Sequence, residues 1–118
     1  KGIQQAKKIG NFFKSNNINI ASVYSSEWCR CKDTAKYAFT KFETFDALNS
    51  FYEEKFQINK DKQIADLKLY IKNWNGNKNL VFITHYVVIS ELLNQGVASG
   101  EIIITKKNYQ ILGSILVK

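Results

Sequence analysis

A short and almost wholly apolar run at residues 80–84 constrains the fold more than any other part of the chain. A run of this length without a polar face is typical of a central strand that is covered on both faces of a parallel sheet. Apolar side chains recur at helical spacing in residues 2–15 and 61–74. A buried strand between helical segments predicts an α/β fold.

The rest of the sequence continues this alternation of helices and strands. Ser26 is a suitable N-cap for a helix over residues 27–39. The remaining patterns predict a strand at 18–24, a short strand at 44–47, an irregular or briefly helical segment at 48–56, a helix at 87–94, and strands at 100–105 and 109–117. The expected architecture is one domain, residues 1–118, built as a three-layer α/β/α sandwich. Its mostly parallel sheet would become mixed if the last two strands formed an antiparallel hairpin.

Composition excludes several classes of protein. The hydrophobic content of 45% and aromatic content of 14% argue against disorder. No apolar run approaches the roughly 20 residues that span a bilayer. The net charge of +7 comes from dispersed lysines. Because Trp28, Tyr37 and Phe39 do not interleave with a basic stripe, we predict no nucleic-acid partner. A cytoplasmic location and export after removal of a leader both remain open.

Two cysteines, Cys29 and Cys31, lie in the predicted second helix. Their side chains would point to widely separated faces, so a disulfide between them is not expected. One histidine and this pair provide too few ligands for a metal site. We predict structural thiols, with neither a metal nor a cofactor.

The single arginine and the single histidine are the candidate functional residues. Arg30 follows the end of one predicted strand, and His85 lies at the end of another. Ligands of open α/β sheets bind beyond such carboxyl ends, so the two side chains could share one oxyanion site. A guanidinium grips a phosphate or carboxylate with two parallel bonds, which lysine cannot do. The alternatives are a structural salt bridge from Arg30 to Asp33 or Glu27, and a packed histidine without a chemical role.

These residues lie within a larger pattern. Ser26-x3-Arg30-x3-Thr34-Ala35 resembles the signature of the histidine phosphatase superfamily, the phosphoglycerate-mutase-like enzymes. The segment that ends at His85 is similar to the strand that delivers the family's second histidine. Residues 2–10 and 99–104 are similar to the family's first helix and closing strand. The chain thus resembles a small, short-chain branch of this superfamily over nearly all of its length.

The resemblance implies a phosphatase. In the family, a nucleophilic histidine attacks phosphorus to form a phosphohistidine, which water then hydrolyses. Arg30 would be the second arginine of the phosphate pocket, His85 its second histidine, and Ser26 a cap and a hydroxyl beside the phosphate. The implied substrates are phosphate monoesters or phosphoramidates, carried by a small molecule or a phosphoprotein.

The chain departs from the family pattern at its start. The family's nucleophile lies in an Arg-His-Gly or Arg-His-Ala motif at the end of a strand before the first helix, and this sequence begins at that helix. We therefore expect an N-terminally truncated domain whose nucleophile lies before Lys1, and no phosphatase activity from the 118 residues alone. The loss of a central strand would expose strand edges, which predicts poor stability or oligomerisation.

The proton donor is a second departure. Many members of the family carry a carboxylate after the middle strand to protonate the leaving oxygen. The first carboxylates in the corresponding stretch are Glu53 and Glu54, which are the candidate general acids. Their alternative role is that of exposed helix carboxylates. The alternative for the whole domain is a non-catalytic module of the same fold that binds phosphate or phosphoproteins.

Overall fold

The computed structural model describes residues 2–117, which form four α-helices, five strands and two short 3₁₀ segments. The elements are, in chain order, α1 (Gly2–Ser15), β1 (Ile20–Ser25), α2 (Cys29–Phe39), β2 (Glu43–Thr44), a 3₁₀ turn (Asp46–Leu48), a 3₁₀ helix (Glu54–Asn59), α3 (Lys60–Asn73), β3 (Asn79–Ile83), α4 (Tyr86–Leu93), β4 (Glu101–Thr105) and β5 (Ile111–Leu116). No helix within this part of the chain combines the length and the apolar character needed to cross a bilayer.

A three-stranded parallel sheet organises the fold, in the order β2-β1-β3. Ser25, the last residue of β1, is level with Thr44 at the end of β2 and Ile83 at the end of β3. The carboxyl ends of all three strands therefore meet at one edge of the sheet. Helices flank this sheet, which confirms the predicted α/β class.

The two faces of the sheet are covered differently. On one face α2 packs on β1 and β3, and α1 packs on α2, with the rings of Phe13 and Phe39 5.1 Å apart. On the other face, the Tyr24 hydroxyl lies 2.6 Å from the Tyr70 hydroxyl of α3. Burial and this hydrogen bond raise the pKa of Tyr70 to about 12. The main apolar core forms on the α3 side and consists of Ala47, Leu48, Phe51, Ile64, Leu67 and Val88.

The predicted hairpin is present, but it forms a sheet of its own. β4 and β5 pair antiparallel, and neither pairs with the parallel sheet. The prediction of a central strand at residues 80–84 is wrong in position, because β1 is the central strand and β3 lies at the edge. Among residues 2–117 no strand bonds to the outer edge of β3, so its apolar side chains are only half-buried.

The start of α2 also differs from its prediction. The helix begins at Cys29 and not at residue 27, because Trp28 keeps an extended backbone with ψ 140°. Ser26 therefore lies in the turn before the helix, where its hydroxyl accepts a hydrogen bond from the Trp28 N–H at 3.3 Å. This turn brings Ser26 toward the end of β3.

Candidate functional site

The site lies where β1 and β3 end side by side. The Ser26 N–H continues the ladder beyond β1 and donates to the Ile83 carbonyl at 3.0 Å. Beyond β3, the Thr84 hydroxyl donates to the Leu48 carbonyl at 2.6 Å, which fixes the chain just before His85. Ser26 and His85 are therefore adjacent in space although 59 positions separate them in sequence.

A hydrogen bond joins these two side chains. Ser26 Oγ lies 2.9 Å from His85 Nε2. Ser26 is fully buried, so its hydroxyl is not accessible to a substrate as a nucleophile would have to be. Its contact with His85 instead fixes the orientation of the imidazole ring.

His85 caps the helix that follows it. Its carbonyl accepts hydrogen bonds from the N–H groups of Val88 at 3.0 Å and Ile89 at 3.2 Å. Burial, and secondarily the positive charge of Arg30, lower the pKa of His85 below the ordinary value of 6.5. The lowered pKa favours the neutral imidazole over the imidazolium, and the ring belongs to the residue at the positive end of the α4 dipole.

Arg30 lies in the first turn of α2 with its side chain exposed. Its positive charge acts to lower the pKa of both His85 and Cys31, so the guanidinium is near enough to act on both groups electrostatically. Within residues 2–117 it forms no ion pair. The Glu27 carboxylate instead accepts a hydrogen bond from Asn49 Nδ2 at 2.8 Å. The alternative of a structural salt bridge is thus not realised in the described chain, and the guanidinium is available to an anion.

Cys31 is a member of the site that the sequence did not indicate. Its sulfur lies 3.6 Å from His85 Nε2 and 3.6 Å from the Thr84 carbonyl oxygen. Burial raises the pKa of the Cys31 thiol, while the nearby Ser26 side chain and the charge of Arg30 oppose that effect. Cys29 is exposed and both thiols are free, as predicted. The helical pattern separates the faces of the two cysteines, but nothing in it pairs Cys31 with a residue 54 positions away.

Aromatic rings form one wall of the site. Trp28 contacts His85 with ring centroids 6.0 Å apart, and Phe56 contacts Trp28 at 5.7 Å. Tyr52 lies 6.0 Å from Tyr86, the residue after His85. Residues 52–56 therefore run along the same side of the molecule as the imidazole.

The candidate general acids belong to this segment, but neither touches the imidazole. Glu53 is exposed and forms an ion pair with Lys55 at 3.7 Å, and Glu54 is exposed at the start of the 3₁₀ helix. No described contact joins either carboxylate to Ser26, Arg30 or His85, so their role as proton donors stays a prediction. Residues 2–117 contain no group of three or more histidine, cysteine or carboxylate side chains arranged to hold a metal ion.

The arrangement is suited to holding an oxyanion. The amino-terminal ends of α2 and α4 meet here, and both present partly positive backbone N–H groups. Arg30 adds a full positive charge, and His85 adds an imidazole whose protonated form a nearby anion would stabilise. Among the described residues, no carboxylate forms an ion pair or hydrogen bond with the side chain of Arg30 or His85.

Comparison with known proteins supports the fold. No protein-family model and no curated protein matches the chain. Among solved structures, the chain is similar to that of the open reading frame Rv3214 from Mycobacterium tuberculosis. The TM-score is 0.59 and the sequence identity is 15%, and the match covers 78% of this chain and 62% of that chain. The chain thus matches less than two thirds of its neighbour's length, and the likeness shows the fold alone.

Proposed function

We propose that Arg30 and His85 bind a phosphoryl group in a domain of the histidine phosphatase type. The observation that carries the proposal is the 2.9 Å contact between Ser26 and His85. It fixes an imidazole on which the charge of Arg30 acts, and Arg30 forms no ion pair within residues 2–117. The Ser26-x3-Arg30-x3-Thr34-Ala35 pattern and the α/β fold of the structural neighbour support the same family.

The charges explain why a phosphate group fits this position. A phosphate dianion near His85 would favour the imidazolium form and raise the pKa that burial and Arg30 lower in the free protein. The bond from His85 would then be charge-assisted, and such bonds are roughly twice as strong as neutral ones. The Arg30 guanidinium could hold two phosphate oxygens at once, which would fix the orientation of the group.

The proposed reaction is hydrolysis of a phosphate monoester or phosphoramidate through a phosphohistidine. In this proposed reaction the nucleophile is a histidine other than His85, expected on a strand before Lys1, and it attacks phosphorus while the bond to the leaving group breaks. The leaving oxygen or nitrogen takes a proton from a general acid, for which Glu53 and Glu54 are the candidates. Water then attacks the phosphohistidine and releases inorganic phosphate. Arg30 and His85 would stabilise the charge on the transferring group.

The test is hydrolysis of p-nitrophenyl phosphate by the full protein encoded by the gene. We expect an in-frame strand ending in Arg-His-Gly or Arg-His-Ala before the Lys1 codon. Arg30→Ala should lower kcat/KM by about 100-fold or more, which corresponds to about 3 kcal/mol of transition-state stabilisation. Arg30→Lys keeps the positive charge but cannot make two parallel hydrogen bonds to the phosphate, so its kcat/KM should lie between those of Arg30→Ala and the unmodified protein.

Lys36→Ala is the matched control, because Lys36 is an exposed cation on the same helix at its far end. It should leave kcat/KM unchanged. Equal activity of Arg30→Ala and the unmodified protein would show that the site assignment is wrong.

The second candidate is a non-catalytic module that binds phosphate or phosphoproteins. It is favoured by the absence, among the described residues, of any hydrogen bond or ion pair that joins Glu53 or Glu54 to the imidazole. An upstream sequence without an Arg-His motif, combined with phosphate binding that depends on Arg30, would select this candidate over the enzyme.

A further inference from the structure

Two side chains, and not one, surround the same nitrogen of His85. Ser26 Oγ lies 2.9 Å from Nε2, and Cys31 Sγ lies 3.6 Å from it. Both residues are buried, with exposed fractions of 0% for Ser26 and 4% for Cys31. Nε2 therefore faces the interior of the protein, where water does not compete for its hydrogen bond.

The direction of the hydrogen bond between Ser26 Oγ and His85 Nε2 follows from the other hydrogen bonds of the two cluster residues, Ser26 and Cys31. The Ser26 hydroxyl already accepts a hydrogen bond from the Trp28 N–H, and its own hydrogen needs an acceptor because the group is fully buried. An imidazole nitrogen is a better acceptor than a thiol sulfur. The Cys31 thiol has its own acceptor in the Thr84 carbonyl. When the Ser26 hydroxyl donates to Nε2, that nitrogen carries a lone pair, and the ring hydrogen of the neutral imidazole is on Nδ1.

We propose that Cys31 is a positioning residue that, together with Ser26, holds His85 in the neutral form protonated at Nδ1. Within residues 2–117 nothing forms a hydrogen bond to Nδ1, so this N–H is free to donate to a bound ligand. The inference rests on the proposed function only for the identity of that ligand, a phosphoryl group. The tautomer and its dependence on Cys31 are properties of the free protein.

The groups around the imidazole are consistent with this assignment. α2 contributes the Arg30 guanidinium and the Cys31 thiol, and the turn before it contributes Ser26 and the Trp28 ring. Of these, Arg30 is the charged group that acts on His85, and it disfavours the imidazolium form. No carboxylate within the described range acts on the ring to favour protonation.

The test uses nuclear magnetic resonance of the ring nitrogens, which is unambiguous because His85 is the only histidine. In phosphate-free buffer above pH 7, the ¹⁵N shifts should show a protonated Nδ1 and an unprotonated Nε2. Cys31→Ala should admit water beside Nε2. It should therefore increase the fraction of the Nε2–H tautomer and move the midpoint of the pH titration upward.

Cys29→Ala is the matched control, since Cys29 is exposed and lies two positions earlier on the same helix. It should leave both the tautomer and the titration midpoint as they are in the unmodified protein. A protonated Nε2 in the unmodified protein would overturn the proposal, even if the Cys31 variant failed to fold. A folded Cys31→Ala variant with unchanged ring shifts and midpoint would also overturn it. Because no phosphate is present, these results are independent of whether the protein binds or hydrolyses phosphate.

Discussion

At the scale of single residues, the Ser26 hydroxyl contacts both the backbone at the start of α2 and the imidazole of His85. The hydroxyl accepts from the Trp28 N–H, lies 2.9 Å from His85 Nε2, and is fully buried. Removing it would leave the Trp28 N–H and the imidazole nitrogen without their partner, and unsatisfied buried polar groups are costly.

Ser26→Ala should therefore lower the free energy of unfolding by about 1–3 kcal/mol. The measurement is urea denaturation followed by circular dichroism. Ser90→Ala, on the exposed surface of α4, is the control and should change stability by less than about 0.5 kcal/mol. Equal stabilities of the two variants would show that the Ser26 hydroxyl does not support the site.

The lowered pKa of His85 predicts a dependence of stability on pH. Between the folded pKa and the unfolded value near 6.5, the unfolded chain binds the proton and the folded protein does not. The stability that His85 contributes is thus fully present above about pH 6.5 and decreases as the pH falls through this window.

Urea midpoints measured between pH 7.5 and pH 5 test this dependence. The unmodified protein should lose stability faster than His85→Gln as the pH falls, because glutamine does not titrate. Parallel pH profiles for the two proteins would contradict the pKa assignment.

The sequence identified Arg30 and His85 but could not identify their neighbours. Both are the only residues of their type, and both follow strands whose ends were correctly placed near one edge. Cys31 and Trp28 contact His85 because the turn after Ser26 is extended before α2 begins. The turn includes the hydrogen bond between the Ser26 hydroxyl and His85, which lies 59 positions away. A local sequence pattern cannot predict a contact between residues so far apart.

At the scale of elements, the close packing of α1 on α2 depends on the small size of residue 10. A Cβ added to Gly10 would collide with the backbone carbonyl of Ala38 in α2. The helices therefore approach closely because residue 10 has no side chain. α2 carries Arg30 and Cys31, so this contact also supports the position of the site.

Gly10→Ala should lower the free energy of unfolding by about 1–3 kcal/mol despite the better helix propensity of alanine. Gly2→Ala is the control in the same helix, because a Cβ there meets nothing within 4 Å. The comparison is made by thermal denaturation of both variants. A stabilising effect of Gly10→Ala would show that the two helices are farther apart than described.

Element identity was easier to predict than element boundaries. The helices over residues 2–15 and 61–74 follow from apolar periodicity, and the structure places α1 and α3 at Gly2–Ser15 and Lys60–Asn73. The short strand predicted at 44–47 is β2, at Glu43–Thr44, followed by a 3₁₀ turn. Short elements depend on tertiary pairing, since β2 is defined by two partners in β1.

At the scale of the whole molecule, the α/β class followed from the sequence but the sheet order did not. The apolar run of β3 predicted a strand that is buried on both faces. Within residues 2–117 β3 instead lies at the edge of the sheet, and its apolar side chains are only partly buried. The order of strands depends on contacts between distant segments. An edge strand with partly exposed apolar side chains offers unpaired backbone groups to which another strand could bind.

This open edge predicts self-association of the 118-residue chain. We expect sedimentation velocity to show species larger than the monomer whose fraction rises with protein concentration. A 118-residue chain that sediments as a monomer throughout would show that the edge of β3 is protected.

The central claim is that Arg30 and His85 together bind a phosphoryl group, and titration with inorganic phosphate tests it most directly. The ring resonances of His85, the only histidine, should shift saturably and its pKa should rise as phosphate binds. Arg30→Ala should abolish the saturable shift, while Lys36→Ala should retain it. The absence of a saturable shift in the unmodified protein, or the same shift in Arg30→Ala, would contradict the assignment.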